Sequence, residues 1–536
     1  MSNPPPRPIS VAELDLAGPD GHVLSLRPVP GGPPLRPGGV YALVRVAGRP
    51  AATILGTVAE GADPAEVLAT LARARLAEEA TAPRTDAERL AAAREPAQAG
   101  TEPPAAVRQP TPPDAERLAT ARQSAQPDPE RLDTARQSAQ PDPDTLAAAR
   151  QSAQPDPDTL AAARQSAQPD ADTLATARQP AQTDAEARPA VPPLAPAPGR
   201  KHLPPPRTSV IVATRERPEQ LARALDSLLA QDHPDFELLV VDNAPRTTDT
   251  YDLVTGKYAD RVRYVREDTP GLAGAHNAGL AAADGAVLAF TDDDVIADPH
   301  WLTALTEPFA DDPGLGCVTG LILPARLATP AQVLLESHGG FAKGFAPRLY
   351  DPAEPPADEP LFPFTAGSFG SGANMAFRAS ALRQAGGFDP ATGTGTPARG
   401  GDDLYAFVAV LSAGFRLRYT AEALVWHHHR DTWQDLRNQA YGYGAGLTAY
   451  LTATLVRRPR LLPALLTRLP RGLAHARAMT ARRGETPDGG VPGEHGTHHH
   501  PWPRSLSRLE RRGMLYGPIG YAKARAQAAQ RKAAGR

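Results

Sequence analysis

Residues 206–430 predict an α/β fold: a mostly parallel sheet covered by helices on both faces. Three observations point there. Short runs of apolar residues recur with little polar interruption: SVIVAT (209–214), FELLVVD (236–242) and AVLAF (286–290). Segments of helical periodicity stand between them. Acidic residues gather where the runs end, with Asp242 closing the second and Asp292, Asp293 and Asp294 following the last. A strand buried on both faces is apolar at nearly every position, whereas a half-buried one alternates.

The elements read in order from the N-terminus. Residues 1–80 predict a small α/β module. Runs at 40–46 and 52–58 are strand-like and are split by the turn Gly48-Arg49-Pro50. Asp63-Pro64 then opens the helical pattern AEVLATLARARLAEEA, with Asp63 as N-cap and proline in the first turn. No catalytic grouping stands out here, and a docking or packing role is expected.

Residues 81–205 lack aromatic residues and isoleucine, and they repeat every 14 residues, with Arg94, Arg108, Arg122, Arg136, Arg150, Arg164 and Arg178 in register. A typical unit, PDPDTLAAARQSAQ, offers one leucine, such as Leu146 or Leu160, and otherwise alanine. Stacked repeats need a continuous apolar face from each unit. One leucine per unit does not offset the entropy of ordering it. A mostly disordered, partly helical spacer is expected.

In the next segment, residues 209–214 form the first strand. Residues 218–230 carry Leu221, Leu225, Leu228 and Leu229 on one helical stripe. Strands follow at 236–242, 262–266 and 286–290, with a small-residue helix at 271–283. In such sheets ligands bind outside the carboxyl ends of the strands. Asp242 and the three aspartates at 292–294 can therefore converge on one crevice. Adjacent carboxylates repel unless a cation or water screens them. Mg²⁺ or Mn²⁺ would supply that screening with hard oxygen ligands. A solvated acidic turn leading into Asp298-Pro299 is the plainer alternative, and both stay open at this point.

The formal net charge of −3 gives no global pull toward nucleic acid. Cys317 is the only cysteine, which rules out an intrachain disulfide and suits a reducing cytoplasm. No signal peptide and no apolar run of about 18 residues is visible, so a cytoplasmic protein is expected.

Five stretches together resemble the family 2 glycosyltransferases, GT-A enzymes that use nucleotide-sugar donors. They are VIVATRERPEQLARALDSLLAQ (210–231), LLVVDNAP (238–245), PGLAGAHNAGLAAADGAVLAFTDDDV (270–295), GSGANMAFRASALRQAGGFDP (370–390) and GGDDLYAFVAVLSAGFRLRYTAEALVWHHHR (400–430). The resemblance covers about residues 206–430 and implies roles position by position. Thr214 and Arg215 would line the nucleotide site. Asp242 would contact the base or ribose. Asn277 would touch the donor, while His276 stands where many relatives carry arginine. Asp292 and Asp294 would be the outer pair of a DxD motif, Asp294 ligating a divalent metal and Asp292 binding ribose or supporting the metal; Asp293 gets no firm role. Asp403 would be the general base. Asp402 replaces the usual glutamate of the family's Glu-Asp pair. Of His427, His428 and His429, His427 is the first choice to complete the metal shell.

The implied reaction is inverting, metal-dependent transfer to a hydroxyl of a glycan or lipid-linked acceptor. A metal-dependent nucleotidyltransferase would share the acidic site, but no glycine-rich phosphate loop opens the domain. A non-catalytic scaffold would make the repeats the working part. A hydrolase would need no nucleotide. Residues 341–364 read as a variable loop over the pocket that selects donor and acceptor, and Tyr441 to Gly446 (YGYGAG) as a glycine-rich acceptor-side loop. Residues 431–536 are expected to be a helical extension. Leucine and arginine are mixed over 433–482, fitting either packing on the domain or peripheral contact with the inner face of the membrane. His498-His499-His500 falls in a Gly/Pro-rich loop.

Overall fold

The computed structural model describes residues 7–81, 204–338, 340–468, 470 and 502–534. The expected repeat spacer and the 498–500 histidines lie outside these residues. The segments on either side of the repeats belong to one compact unit.

The N-terminal segment forms a four-stranded sheet from β1 (Ser10–Leu16), β2 (Val23–Pro28), β3 (Gly38–Val46) and β4 (Arg49–Val58), in the order β2-β1-β3-β4. Helix α1 (Pro64–Thr81) covers one face with Leu68, Ala69 and Ala72. Asp63 accepts a hydrogen bond from the Ala65 amide at its start, as a capping residue does.

The main sheet begins with β5 (Thr208–Thr214), α2 (Pro218–Leu228), β6 (Phe236–Asn243), α3 (Asp249–Lys257), β7 (Val262–Glu267), α4 (Leu272–Ala282) and β8 (Val287–Asp292). It continues through β9 (Val295–Ala297), α5 (Trp301–Thr306), α6 (Pro308–Asp311), β10 (Leu315–Pro324), α7 (Pro330–Ser337), β11 (Arg348–Tyr350) and β12 (Asn374–Arg378). Then come α8 (Ala379–Ala385), α9 (Asp402–Ser412) and β13 (Arg416–His427). The order is β11-β13-β10-β12-β8-β5-β6-β7, with β9 folded back on β13. The pairings run β5, β6, β7, β8, β10 and β13 one way and β9, β11 and β12 against them. The sheet is thus mixed but mostly parallel. Every residue of β5 and β10 is buried, because both faces are covered. One face packs Ile211, Leu239, Phe290 and Phe377; the other packs Val210, Val212, Val240 and Val425.

The N-terminal sheet lies on this body directly. Val11, Val29, Tyr41 and Leu43 pack with Ile296, Leu321, Leu323, Leu424 and Trp426. The Ile9 amide donates to the Leu327 carbonyl at 2.8 Å. Arg45, buried, pairs with Asp298 and, at 3.2 Å, with Glu13.

Two expectations need correction. Within 341–364, β11 is a strand paired to β13, not wholly loop. The glycine run from Tyr441 to Gly446 is the middle of a 25-residue helix, α10 (Trp433–Arg457). Its glycines serve close packing. A Cβ on Gly444 would stand 1.9 Å from the Glu510 carbonyl oxygen of α11 (Arg504–Ala534), and one on Gly446 would stand 3.0 Å from Gly400. Among the described residues, no helix is long and apolar enough to cross a membrane.

Candidate metal and donor site

The acidic turn owes its place to two strands. β8 delivers Asp292 at the sheet's carboxyl edge, and β9 then turns back along β13 so that Val295 faces His427. The His428 amide donates to the Asp294 carbonyl at 2.9 Å, clipping the turn to the histidine-bearing strand end. Ligand atoms of Asp292, Asp294 and His427 consequently lie within 4.8 Å of one another. His427 Nε2 is 3.3 Å from Asp294 Oδ1.

Arginines close the other side. Arg217 Nη1 is 3.5 Å and Arg430 Nη2 is 3.8 Å from Asp294 Oδ2. Burial works to raise the Asp294 pKa, but His427, Arg430 and Arg217 outweigh it and hold the carboxyl below its usual range. Asp292 goes the other way, pushed to about 7 by burial and then by the Asp294 charge. Asp294 Oδ1 is buried without a hydrogen bond among the described residues. Two carboxylates of opposed tendency, an unsatisfied oxygen and an imidazole suit a divalent cation such as Mn²⁺ or Mg²⁺.

The neighbouring strand ends extend the site. Strand register sets Ala213 beside Asp292 and Thr214 beside Asp242. Thr214 Oγ1 donates to Asp293 at 2.7 Å, and Arg217 donates to the same carboxylate at 3.0 Å. Asp293 therefore ties the acidic turn to the end of β5. Asp242 accepts from the Tyr264 hydroxyl at 2.9 Å, and burial raises its pKa. Its Oδ1 is buried without a hydrogen bond among the described residues. Arg215 is half-buried beyond Thr214; Arg217, not Arg215, is the guanidinium that reaches the acids.

Asp402 and Asp403 open α9. Gly401 precedes them with φ of 86°, and a Cβ there would stand 2.4 Å from the Gly446 carbonyl oxygen, so glycine is required. Asp403 accepts from the Gly372 amide at 2.9 Å and the Leu404 amide at 2.8 Å. Gly372 lies two residues before Asn374, which pairs with Thr291 of β8, so Asp403 docks beside the strand that delivers Asp292. Burial, then the Asp402 charge, pushes Asp403 up to about 6. Asp402 Oδ2 stands 3.3 Å from His276 Nδ1, and His276 packs against Phe290 and Phe388. Asn277 is engaged elsewhere: its amide group exchanges two hydrogen bonds with the Phe388 backbone.

His429 points away from the acids. Its Nδ1 lies 3.1 Å from His427 Nδ1, and its Nε2 lies 3.0 Å from Glu336 Oε2. Sequence reading missed Arg217, Arg430 and Glu336. Arg217 had a signal, since it ends the Thr-Arg-Glu-Arg run that follows the first strand. Glu336 had none.

Residues 209–384 match the family described as glycosyl transferase family 2, and residues 358–507 match glycosyl transferase family group 2. The segment these two models span is a family 2 glycosyltransferase region. Among curated relatives, the chain is 37% identical over 106 residues to an uncharacterized glycosyltransferase of Nostoc sp., covering 19% of this chain and 33% of that protein. It is 29% identical over 240 residues to the pre-mycofactocin glycosyltransferase of Mycobacterium tuberculosis, covering 44% and 46%. It is 26% identical over 194 residues to the glucosyl-dolichyl phosphate glucuronosyltransferase of Haloferax volcanii, covering 35% and 57%. The chain thus spans about a third to just over half the length of these relatives. Among solved structures, a mannosyltransferase of Pyrobaculum calidifontis with GDP-Man and Mn²⁺ aligns at 21% identity and a TM-score of 0.36, over 61% of this chain and 87% of that one.

Proposed function

We propose that this family 2 domain, read as a GT-A fold, transfers a sugar with inversion from a nucleoside-diphosphate sugar to an acceptor hydroxyl. One observation carries the reading. Two aspartates beside the same strand end have environments that drive their pKa values apart, Asp403 up to about 6 and Asp294 below the usual range. Such separation divides labour between a base and a permanent anion.

Asp403, ionised above about pH 6, accepts the acceptor hydroxyl's proton while that oxygen attacks the anomeric carbon. Its two backbone hydrogen bonds hold the carboxylate in place for that transfer. The bond from the anomeric carbon to the diphosphate breaks as the new one forms on the opposite face. Asp294, Asp292 and His427 would hold a divalent cation, which when bound offsets the charge of the diphosphate. Arg217 and Arg430 add positive charge at the same edge. Asp242 and Thr214 would line the nucleotide pocket; Asp402 orients the region of the base.

The acceptor is proposed to be a glycan or a lipid-linked sugar. The Haloferax relative's name specifies a dolichyl phosphate glucoside. In α11, exposed Arg504, Arg508, Arg511 and Arg512 precede exposed Leu515 and Ile519, a pattern suited to peripheral contact with an anionic membrane face.

The test is a thermal-shift panel of UDP, dTDP, GDP and CDP, each with Mn²⁺ and with chelator. Binding to the native state raises the melting temperature by mass action. A metal-dependent shift with one nucleotide is expected. No shift with any of the four would remove the donor reading.

A further inference from the structure

We propose that Glu336 and His429 are positioning residues that fix which nitrogen of His427 carries a lone pair toward the acid pair. The proposal rests on the metal reading above. It concerns two residues whose side chains are buried beside His427.

Hydrogen-bond direction sets the tautomer. A neutral imidazole has one N–H and one acceptor nitrogen, and an ionised carboxylate only accepts. Glu336 Oε2 lies 3.0 Å from His429 Nε2, so that nitrogen must be the donor. His429 Nδ1 is then a bare acceptor. It lies 3.1 Å from His427 Nδ1, which must donate to it. In the neutral form, the one that can ligate a cation, His427 is left with its lone pair on Nε2, the atom 3.3 Å from Asp294 Oδ1 on the side where Asp292 also converges. The opposite tautomer would set two lone pairs against each other between the rings and aim a hydrogen at the cation. A partner that fixes a ligand imidazole in this way is known to govern metal affinity.

The frame around these two residues is rigid. Both side chains are 1% exposed. Gln332, one turn before Glu336 on α7, donates to the His429 carbonyl at 3.0 Å, so one helix grips His429 twice. A capping box between Thr329 and Gln332 anchors the start of that helix. Phe341 lies over both imidazoles, with ring centres 5.3 Å and 5.7 Å away. Tyr41 of β3 comes up beside Glu336 from behind. The N-terminal sheet therefore backs a carboxylate that, through two rings, reaches the candidate cation site.

The full chain serves for the test. Free Mn²⁺ is titrated by electron paramagnetic resonance against wild type, Asp294→Asn, Glu336→Met and Glu336→Gln, at a temperature where circular dichroism shows each folded. Binding by wild type and its loss in Asp294→Asn are expected. Glu336→Met should weaken Mn²⁺ binding by about 10- to 100-fold. Glu336→Gln should recover most of it, because an amide oxygen still accepts the His429 hydrogen. Nitrogen-15 histidine spectra of the Mg²⁺-loaded wild type, which need no folded variant, should show His427 in the Nδ1–H form. Wild-type affinity in Glu336→Met, or an Nε2–H form of His427, would overturn this proposal and leave the metal reading standing. No Mn²⁺ bound by wild type would overturn both.

Discussion

Two glycines two positions apart in α10 should respond unequally to the same substitution. Alanine is favoured over glycine within a helix by about 1 kcal/mol. At Gly442 nothing offsets that gain, since an added Cβ would meet only the Arg399 carbonyl oxygen at an ordinary 3.6 Å. At Gly444 the Cβ would stand 1.9 Å from the Glu510 carbonyl oxygen and 2.8 Å from its carbon. These are backbone atoms of α11 and cannot rotate away. Carbon contacts settle at about 3.5–4.0 Å, so α10 and α11 would have to separate by more than about 1 Å. The helices interlock here from both sides: a Cβ on Gly513 would stand 2.2 Å from the Tyr441 carbonyl oxygen. Overpacking of this kind costs about 1–3 kcal/mol. Both variants share the helix-propensity gain, so the gap between them is about 1–3 kcal/mol, with Gly442→Ala the more stable. Urea unfolding followed by far-ultraviolet circular dichroism reads it as a separation of midpoints. Equal midpoints would refute the close approach of the two helices.

The transfer rate should have an acid limb near pH 6, set by Asp403, falling about tenfold per unit below it; a flat profile down to pH 5 would dismiss Asp403 as base. Asp403→Asn should keep nucleotide binding while losing about 10²- to 10⁴-fold in turnover, and near wild-type turnover would equally exclude this carboxylate as the proton acceptor. Asp294→Ala should abolish the Mn²⁺-dependent part of the nucleotide thermal shift, and an unchanged shift would remove it from the cation site. In metal-free protein, Asp292 and Asp403 have folded pKa values above their unfolded ones, so the unfolded chain loses these protons first as pH rises. Their contribution to stability should therefore fall between about pH 4 and 7, and Asp292→Asn should raise the melting temperature at pH 8 in chelator. A lower melting temperature would contradict the sign. Arg45→Met leaves Glu13 and Asp298 buried without their shared partner, a loss of about 3–5 kcal/mol by analogy with other broken buried pairs; a near-zero change in urea midpoint would show the pair contributes nothing.

The parallel core was legible because its strands are covered on both faces, which leaves an uninterrupted apolar signature in SVIVAT and FELLVVD. β1 was not. Its sequence SVAELDL carries Glu13, which looks like a solvent residue and is instead buried against Arg45, itself 32 residues away. The glycine run of α10 read as a loop because glycine has two uses, conformational freedom and close approach, and only the facing helix tells them apart. At the site, the acids were readable from their position after apolar runs. Three adjacent histidines carry no local mark of which one faces the acids, because that depends on how the end of β13 turns. The partners that orient the site were out of reach, since Glu336 and His429 are 93 residues apart in the chain and meet only when α7 packs beside the end of β13.

The direct seating of the N-terminal sheet on the main sheet changes what the 14-residue repeats are. Both flanks of that segment belong to one folded body, so the chain on either side of it does not form separate parts. For a flexible loop, closure entropy rises only with the logarithm of length, about 0.6 kcal/mol per doubling. Gaining or losing one repeat therefore shifts the folding equilibrium by a small fraction of that amount. Copy number can thus change almost without thermodynamic penalty, and chains with one 14-residue unit more or fewer should share the same urea midpoint.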